Sequence, residues 1–354
     1  MFNADLSFKK ANSAGDLIDK NFLSGLFGPV NNIEKQFLKT TGFSGSAHEK
    51  IILHMQNGET ISLILKNIYP SQDMTIWRSG NIANREALLI DHKEMAGVWN
   101  IFQSPYIAYA VEEKNSVLLM YDLSEYLFPD IRQPISIEEE DLLLQSLARL
   151  HAHYWQHDLL SQSWLTRQEN YFNLLGPNAA EEEKVAGHQH PIFEPVENGW
   201  RSAFEILPGD IKSFLSNPPM EKMTAGLPKT LIHGDSKIAN FAILPGHKLA
   251  AFDWTVVASA CPTCEMGWYI AVNASRLART KEEVLNYYRE FLQKELHREI
   301  DNTRWEQMMD IAILTGAINL LWNKALNLEK NIPGAQKEWD WWIDNIRVCK
   351  EKYS

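Results

Sequence analysis

Residues 231–240 read LIHGDSKIAN: two apolar residues run into His-Gly-Asp, and an asparagine follows five positions after the aspartate. The apolar start predicts a short buried strand, and the polar continuation predicts a loop at its end. Loops that are held by a rigid scaffold often carry the side chains that bind or react. Asp235 and Asn240 are therefore candidate site residues.

The next stretch, NFAILPGHKLAAFDW at residues 240–254, predicts a β-hairpin that turns at its Pro-Gly pair. A hairpin brings its outer ends close together, so Asn240 and Asp253 should converge with Asp235 at one loop cluster. Oxygen-bearing side chains suit a hard cation, and Mg²⁺ usually takes one or two carboxylates and draws other oxygens from waters and substrate phosphates. The pattern therefore predicts a Mg²⁺ site.

The spacing of these residues indicates phosphoryl transfer. One carboxylate must accept the proton of the acceptor hydroxyl while other oxygens hold the metal. The kinase catalytic loop separates these tasks in the pattern H-x-D-x-x-x-x-N, followed by a downstream aspartate. His233, Asp235 and Asn240 fit this pattern, and Asp253 occupies the downstream position. A fortuitous His-Gly-Asp turn is the alternative interpretation.

Through IHGDSKIAN and AAFDW the chain resembles the aminoglycoside phosphotransferase and choline kinase-like family, small-molecule kinases with the protein-kinase fold, nearest the ecdysteroid-kinase-like branch. SLARLHAHYW at 146–155 and EEVLNYYREFL at 282–292 resemble helices of the same family. The resemblance extends over most of the chain and is specific only in the catalytic segment. It implies that Asp235 is the catalytic base and that Asn240 and Asp253 hold Mg²⁺.

The expected fold is α+β: a bilobal, protein-kinase-like fold with a small β-rich N-terminal lobe and a larger, mainly helical C-terminal lobe. We place the nucleotide-binding lobe at residues 1–122 and the catalytic and substrate-binding lobe at residues 123–354. From about Ile137 onward the chain is mainly helical in pattern.

The N-terminal lobe contains a second hairpin signal. Strand-like runs at 48–55 and 60–66 flank an Asn-Gly pair, the strongest short-range indicator of a hairpin. Residues 14–39 carry apolar side chains at three- and four-residue steps, which predicts a helix.

A kinase also needs a lysine on a strand of this lobe to contact the α- and β-phosphates, and a glutamate on the next helix to orient it. Lys66 closes the second strand of the Asn-Gly hairpin. Glu86 starts the apolar stripe of the following helix, predicted over 84–95. We favour Glu86 over Glu94, which lies two turns further along.

The turn before the hairpin is predicted to lie over the phosphates, with backbone N–H groups as donors. Its candidate residues are Gly42, Ser44 and Gly45. The turn departs from the G-x-G-x-x-G pattern of protein kinases, as the small-molecule family generally does.

LLMYDLS at 118–124 resembles the family's hinge. The resemblance implies that Met120 lies behind the adenine, and that the Tyr121 carbonyl and the Leu123 N–H bind its edge. Ile243 is the candidate apolar floor of the pocket.

One departure from the family pattern lies in ACPTCEMGW at 260–268, where Glu265 stands in place of an aspartate that opens the next helix. The family's aspartate braces the catalytic loop through the loop backbone. Because glutamate is one methylene longer, we expect a shifted brace.

The same stretch contains a Cys-x-x-Cys pair, Cys261 and Cys264. We interpret these cysteines as structural. A redox dithiol and half of a zinc site, completed by His188 and His190, are the alternatives.

Composition restricts the partners of this 354-residue chain. A formal net charge of −11 disfavours nucleic-acid binding, which depends on Lys and Arg neutralising phosphates. The start of the chain shows no secretory signal, three cysteines suit a reducing cytoplasm, and the apolar run at 311–322 is too short for a membrane span. It predicts a buried helix instead.

We therefore expect a cytoplasmic kinase that uses ATP or GTP with Mg²⁺ and phosphorylates a hydroxyl of a small molecule, with no nucleic-acid or membrane partner. A catalytically weak kinase-like nucleotide-binding or scaffold protein is the main alternative, and a nucleotidyl transferase on the same fold is the second. The acceptor and the oligomeric state stay open.

Overall fold

Residues 8–38 and 45–353 are described in the computed structural model of the protein. The predicted phosphate-loop residues Gly42 and Ser44 lie outside this range, whereas Gly45 lies within it.

The strands found among the described residues are β1 (Lys9–Lys10), β2 (Val30–Leu38), β3 (Ser46–Met55), β4 (Thr60–Ile68), β5 (Tyr106–Glu112), β6 (Asn115–Tyr121), β7 (Thr166–Arg167), β8 (Thr230–Ile232), β9 (Phe241–Leu244), β10 (Lys248–Ala251) and β11 (Ala258–Ala260). The α-helices found there are α1 (Lys20–Phe27), α2 (Met74–Arg78), α3 (Arg85–Asp91), α4 (Gly97–Ile101), α5 (Ile137–His153), α6 (Gln168–Phe172), α7 (Ala179–Val185), α8 (Phe193–Ile206), α9 (Gly209–Ser216), α10 (Met220–Thr224), α11 (Pro262–Val272), α12 (Lys281–Leu296), α13 (Asn302–Glu329) and α14 (Ala335–Tyr353). The fold is α+β, as predicted, with a β-rich N-terminal part and a mainly helical C-terminal part.

The first of two compact units comprises the described parts of residues 1–77, 81–130 and 239–255. It contains a six-stranded sheet in the order β1-β5-β6-β4-β3-β2 and the separate hairpin β9–β10. The unit differs from the predicted lobe of residues 1–122, because it runs further and includes the hairpin. The reason is packing: Leu123 shares an apolar cluster with alanine and leucine side chains of β9 and β10.

The six-stranded sheet has two unlike faces. β3 and β4 pair antiparallel across the Asn-Gly turn, as predicted, with His48 opposite Lys66. Side chains alternate between the faces of a strand. Ile51 and Leu53 of β3 therefore share one face, where they join an apolar core that also contains Leu23 of α1. Lys66 projects from the other face.

The prediction of a helix throughout residues 14–39 was wrong. Helix α1 ends at Phe27, and Gly28 follows with φ 93°, a left-handed conformation that suits glycine. Residues of β2 then pair with β3 along most of its length. Long-range pairing therefore overrode the local apolar spacing that predicted the helix.

The second unit comprises residues 78–80, residues 131–238 and the described residues after 255. It contains α5–α14 and a three-stranded sheet in the order β7-β11-β8. Residues 311–322 lie within α13 and are buried along their whole length, as predicted. Among the described residues, no helix is both long and apolar enough to cross a membrane.

Helix α11 packs closely against α13. A Cβ added to Gly267 of α11 would lie 2.0 Å from the carbonyl oxygen of Ala312, so only glycine permits this approach. Tight helix packing therefore fixes α11, and α11 carries Glu265.

Candidate active site

Lys66 is the centre of a buried charge cluster in the first unit. Its Nζ lies 2.7 Å from Oε2 of Glu86 on α3 and 2.8 Å from Oδ1 of Asp253 after β10. Lys66 is 4% exposed and Glu86 is 1% exposed, whereas Glu94 is exposed. The structure thus pairs Lys66 with Glu86, the glutamate favoured from the sequence, and with Asp253.

The protonation of Lys66 follows from its two carboxylate partners. Burial alone would lower the pKa of its ammonium group. The charges and hydrogen bonds of Asp253 and Glu86 outweigh that effect and raise the pKa above its usual value. The lysine is therefore charged at neutral pH and held in one position.

Tyr106 of β5 completes the environment of Glu86. Its hydroxyl donates to Oε1 of Glu86, so each oxygen of this buried carboxylate has a partner. Burial and the charge of Glu86 raise the pKa of Tyr106 well above its usual value. The sequence did not indicate Tyr106, which begins a mostly apolar strand.

Asp253 has an unusual backbone conformation. Its φ is 65°, in the left-handed region that side chains other than glycine seldom adopt. Its Oδ1 accepts hydrogen bonds from Lys66 and from Oγ1 of Thr255 at 3.0 Å. Backbone strain of this kind persists where the surroundings impose it, often at functional sites.

Asn240 lies at the same end of the predicted hairpin. β9 and β10 pair antiparallel, and the backbone N–H of Phe252 donates to the carbonyl oxygen of Asn240 at 3.1 Å. Asn240 thus lies opposite the residue that precedes Asp253. A carboxylate and a carboxamide at one hairpin end form a donor set that fits Mg²⁺, provided that water or phosphate supplies the remaining oxygens.

The candidate adenine residues lie in the same unit. Met120 is buried on β6 opposite Ile64, Leu123 is buried, and Tyr121 is half-buried. Ile243 is also half-buried. It follows Ala242 in β9, and Ala242 belongs to the apolar cluster that contains Leu123.

Asp122, between Tyr121 and Leu123, lies in the stretch predicted to be the hinge, and the sequence did not single it out. It accepts hydrogen bonds from Ser62 at 2.7 Å and from Ser124, and an ion pair of 2.9 Å joins it to Lys50. Burial alone would raise the pKa of Asp122, but these partners lower it well below its usual value. The network holds this stretch to β3 and β4.

Gly45 directly precedes β3. A Cβ at this position would lie 2.3 Å from the carbonyl oxygen of Gln72, so a larger residue would require the backbone to move. This close approach explains a glycine here independently of any phosphate contact.

Asp235 lies in the second unit, after β8. Its Oδ1 accepts a hydrogen bond from Nε1 of Trp268 at 3.0 Å, and Nζ of Lys237 lies 3.1 Å from its Oδ2. Its backbone N–H donates to Nδ1 of the fully buried His233 at 3.2 Å. The carboxylate is 18% exposed, so it is oriented but accessible.

Glu265 braces the backbone of the loop that carries Asp235. The sequence led us to expect such a brace, in a shifted form. Its Oε2 accepts from the backbone N–H of His233 at 3.0 Å, and its Oε1 accepts from the backbone N–H of Gly234 at 2.9 Å. Nε2 of His151 on α5 lies 2.9 Å from Oε2, and Nδ1 of His151 lies 2.6 Å from the hydroxyl of Tyr288. The longer side chain therefore reaches both loop amides.

The charge of Glu265 is supported by its neighbours. Its burial alone would raise the pKa. The hydrogen bond and charge of His151, the charge of His233 and the N–H of Gly234 together lower the pKa below its usual value. A charged carboxylate thus holds the loop that presents Asp235.

Gly234 is required by the shape of this loop. Its φ is 88°, and a Cβ would lie 2.3 Å from the carbonyl oxygen of Val256. Tyr171 of α6 donates a hydrogen bond from its hydroxyl to the Gly234 carbonyl at 2.9 Å, and Asn273 bonds the backbone of Ile238 and Ser236.

Sequence reasoning missed three residues that support this loop: Tyr171, Asn273 and Trp268. Only Trp268 had a signal, because it lies three residues after Glu265 on the same helix.

The Cys-x-x-Cys pair lies at the start of α11, where Cys261 directly precedes the helix and Cys264 lies in its first turn. Both side chains are fully buried, and none of the three cysteines forms a disulfide. His188 contacts Glu183 at 2.6 Å. Among the described residues, no group of three or more His, Cys, Asp or Glu side chains could hold a metal ion.

Solved structures of small-molecule kinases are similar to this chain. The ethanolamine kinase of Plasmodium vivax is 14% identical, with 94% of this chain and 84% of that chain covered and a TM-score of 0.52. The choline kinase of Streptococcus pneumoniae is 13% identical, covering 95% and 100%, with a TM-score of 0.48. An aminoglycoside phosphotransferase of Streptomyces rimosus is 12% identical, covering 80% and 92%, with a TM-score of 0.43.

No protein-family model and no curated protein sequence matches the chain. Of the three structural similarities, the one with a TM-score above 0.5 shows a shared fold. The resemblance inferred from the sequence is thus confirmed at the level of the fold, which the chain shares with the ethanolamine kinase. The ecdysteroid-kinase-like branch stays a prediction.

Proposed function

We propose that this chain is a phosphotransferase that moves the γ-phosphoryl group of ATP or GTP to a hydroxyl of a small molecule. The observation that carries the proposal is the buried Lys66, which bonds Glu86 and Asp253 at once. A buried charge cluster is costly unless a function or good pairing compensates for it, and this pairing has the chemistry of a nucleotide-phosphate site.

The charge of the cluster supports a role for Mg²⁺. One lysine faces two carboxylates, which leaves a net negative charge at Asp253. The nearby Asp73 responds to this excess: burial raises the pKa of Asp73, hydrogen bonds from Thr75 oppose the change, and the negative charge of Asp253 raises the pKa further. A divalent cation bound by Asp253 and Asn240 would neutralise this excess and the charge of the transferred phosphoryl group.

In the proposed reaction the acceptor oxygen bonds to the γ-phosphorus, and the bond from that phosphorus to the β–γ bridging oxygen breaks. Asp235 accepts the hydroxyl proton, and the nucleoside diphosphate leaves. Lys66 contacts the α- and β-phosphates, oriented by Glu86. Catalysis is then mainly positioning and charge neutralisation.

The remaining nucleotide contacts are proposed in the first unit. Met120, Tyr121 and Leu123 would contact the base, with Ile243 as an apolar floor. Gly45, with the preceding Gly42 and Ser44, would contribute to the phosphate loop. We also place the protein in the cytoplasm, where its three free, buried cysteines would stay reduced.

The test is an ATP- and GTP-consumption screen against hydroxylated compounds: amino alcohols such as choline and ethanolamine, aminoglycosides, ecdysteroid-like sterols and sugars. We expect Mg²⁺-dependent turnover with one class. Asp253→Ala should abolish Mg²⁺-dependent nucleotide binding, and unchanged affinity would count against its metal role. Tight nucleotide binding without turnover on any acceptor would favour the scaffold alternative.

A further inference from the structure

His48 of β3 lies directly opposite Lys66 of the neighbouring strand β4. The two residues are partners in the antiparallel register of β3 and β4, so their side chains project from the same face. The Cβ atoms of such partners are about 4.5–5.5 Å apart. This is the face on which Lys66 meets Glu86 and Asp253, rather than the face that forms the apolar core.

The imidazole of His48 has a polar atom that the described part of the chain does not satisfy. Its Nδ1 is inaccessible to solvent and has no hydrogen-bond partner among residues 8–38 and 45–353. Other polar side chains on this face of β3 are paired: Lys50 with Asp122 at 2.9 Å, and His54 with Glu34 at 3.0 Å. A buried nitrogen without a partner is destabilising and rare in native proteins, so the site calls for a ligand that supplies one.

The charge environment of His48 identifies the kind of partner. Burial and, to a smaller extent, the charge of the neighbouring Lys66 lower the pKa of His48 from 6.5 to about 4, and the charge of Asp253 partly opposes the change. The imidazole is therefore neutral at neutral pH and carries one N–H donor. A nucleotide phosphate at Lys66 would bring oxygen acceptors to a face that already carries a lysine.

We propose that His48 is a further nucleotide-binding residue, whose imidazole Nδ1–H donates a hydrogen bond to a phosphate oxygen beside Lys66. The inference rests on the proposed function, because it needs the phosphates to lie at Lys66. It adds a contact from β3 itself, formed by a side chain rather than by the backbone of the preceding loop.

Two amide substitutions distinguish the ring nitrogens. The terminal nitrogen of asparagine is as many bonds from Cβ as Nδ1 is, and that of glutamine corresponds to Nε2. His48→Asn should therefore retain the donor, whereas His48→Gln and His48→Phe should lose it. His54→Phe, on the same face of the same strand, is the matched control.

The experiment is titration calorimetry of each variant with ADP and with adenosine, with and without Mg²⁺. We expect His48→Phe and His48→Gln to bind ADP about tenfold more weakly, the size of one hydrogen bond to a charged group. Adenosine affinity should not change, and His48→Asn and His54→Phe should bind ADP as the wild type does.

Outcomes that overturn the inference differ from those that overturn the proposed function. If the wild type binds ADP but His48→Phe and His48→Gln match it, or lose ADP and adenosine affinity equally, His48 does not contact phosphate. If the wild type binds no nucleotide, the proposed function fails and the inference fails with it. Thermal unfolding of each variant shows whether it is folded. If His48→Phe is misfolded, the comparison of His48→Asn with His48→Gln decides whether His48 contacts phosphate.

Discussion

Lys66 and Asp235 are held in place in opposite ways. Lys66 is fixed by side-chain charges on residues 20 and 187 positions away in the sequence. Asp235 is presented by a loop whose backbone amides bond to Glu265, and its own carboxylate contacts one indole and one lysine. The first arrangement depends on mutual charge neutralisation, and the second depends on the shape of a braced backbone.

This difference predicts different failures. Removing a member of the Lys66 cluster leaves the remaining charges incompletely neutralised, so stability should fall together with nucleotide binding. Removing a support of the Asp235 loop changes geometry, so turnover should fall while nucleotide binding persists.

Asp235→Ala should have the largest effect. We expect turnover to fall by about 10²–10⁴-fold, because a general base is lost. Nucleotide affinity should be nearly unchanged, since the proposed nucleotide contacts belong to the first unit. Turnover with the acceptor found in the screen and calorimetry with ATP measure the two effects. Undiminished turnover would remove Asp235 from the role of base.

Lys66→Ala should lower the free energy of unfolding by about 3–5 kcal/mol, because Glu86 and Asp253 would lose the ammonium group that neutralises both carboxylates. Lys50→Ala is the control on the same face of the sheet. Its ion pair with Asp122 is partly exposed, so its loss should cost less than about 1 kcal/mol. Urea denaturation measures both, and equal losses would contradict the charge-cluster interpretation.

Glu265→Gln should loosen the loop of Asp235. An amide has one acceptor oxygen where the carboxylate has two, so one loop N–H should lose its partner at a cost of about 1–3 kcal/mol. Faster hydrogen exchange at the amides of His233 and Gly234, with lower turnover and unchanged nucleotide affinity, is the expected result. Glu295→Gln, in a surface pair with Arg149, should change none of these.

The pH dependence of stability provides a test within the first unit. The pKa of His48 is lowered from 6.5 to about 4, first by burial and then by Lys66. The unfolded chain therefore binds a proton below pH 6.5 that the native chain does not, and stability falls as pH falls towards 4.

Between pH 6.5 and about pH 5 this group should contribute a loss of about 2 kcal/mol. His48→Phe should remove that part of the slope, and His54→Phe should keep it. Denaturation curves across this range measure the effect, and identical slopes for all three proteins would argue against a half-buried, neutral His48.

Trp268→Phe should have the smallest effect. The substitution keeps the ring and removes the N–H that donates to Asp235. We expect kcat to fall about tenfold, the value of one hydrogen bond to a charged group, with nucleotide affinity unchanged. A fall in nucleotide affinity instead would indicate a general structural role for this indole.

Local sequence signals predicted the parts of this molecule that depend on neighbours in the chain. The Asn-Gly pair predicted the β3–β4 hairpin, and the Pro-Gly pair predicted the β9–β10 hairpin that carries Asn240 and Asp253. The long apolar run predicted the buried helix α13. Where a strand pairs with distant residues, as β2 does, the same kind of local pattern predicted a helix and was wrong.

The supports of the site were harder to predict. Tyr106, Tyr171 and His151 contact site residues 20, 63 and 114 positions away. Nothing in the sequence around them specifies those partners. The brace shows the same limit, because the reach of Glu265 depends on where the packing of α11 against α13 places its helix.

By itself, the sequence determined the spacing of His233, Asp235 and Asn240, the two hairpins and the α+β class, because these depend on short-range geometry and on apolar periodicity. Only the tertiary structure decided that Lys66 binds both Glu86 and Asp253, that Glu265 reaches two loop amides, and that His48 faces Lys66 with a nitrogen that no described residue satisfies. These contacts join residues that the chain separates, and burial decides which charges and hydrogen bonds must pair.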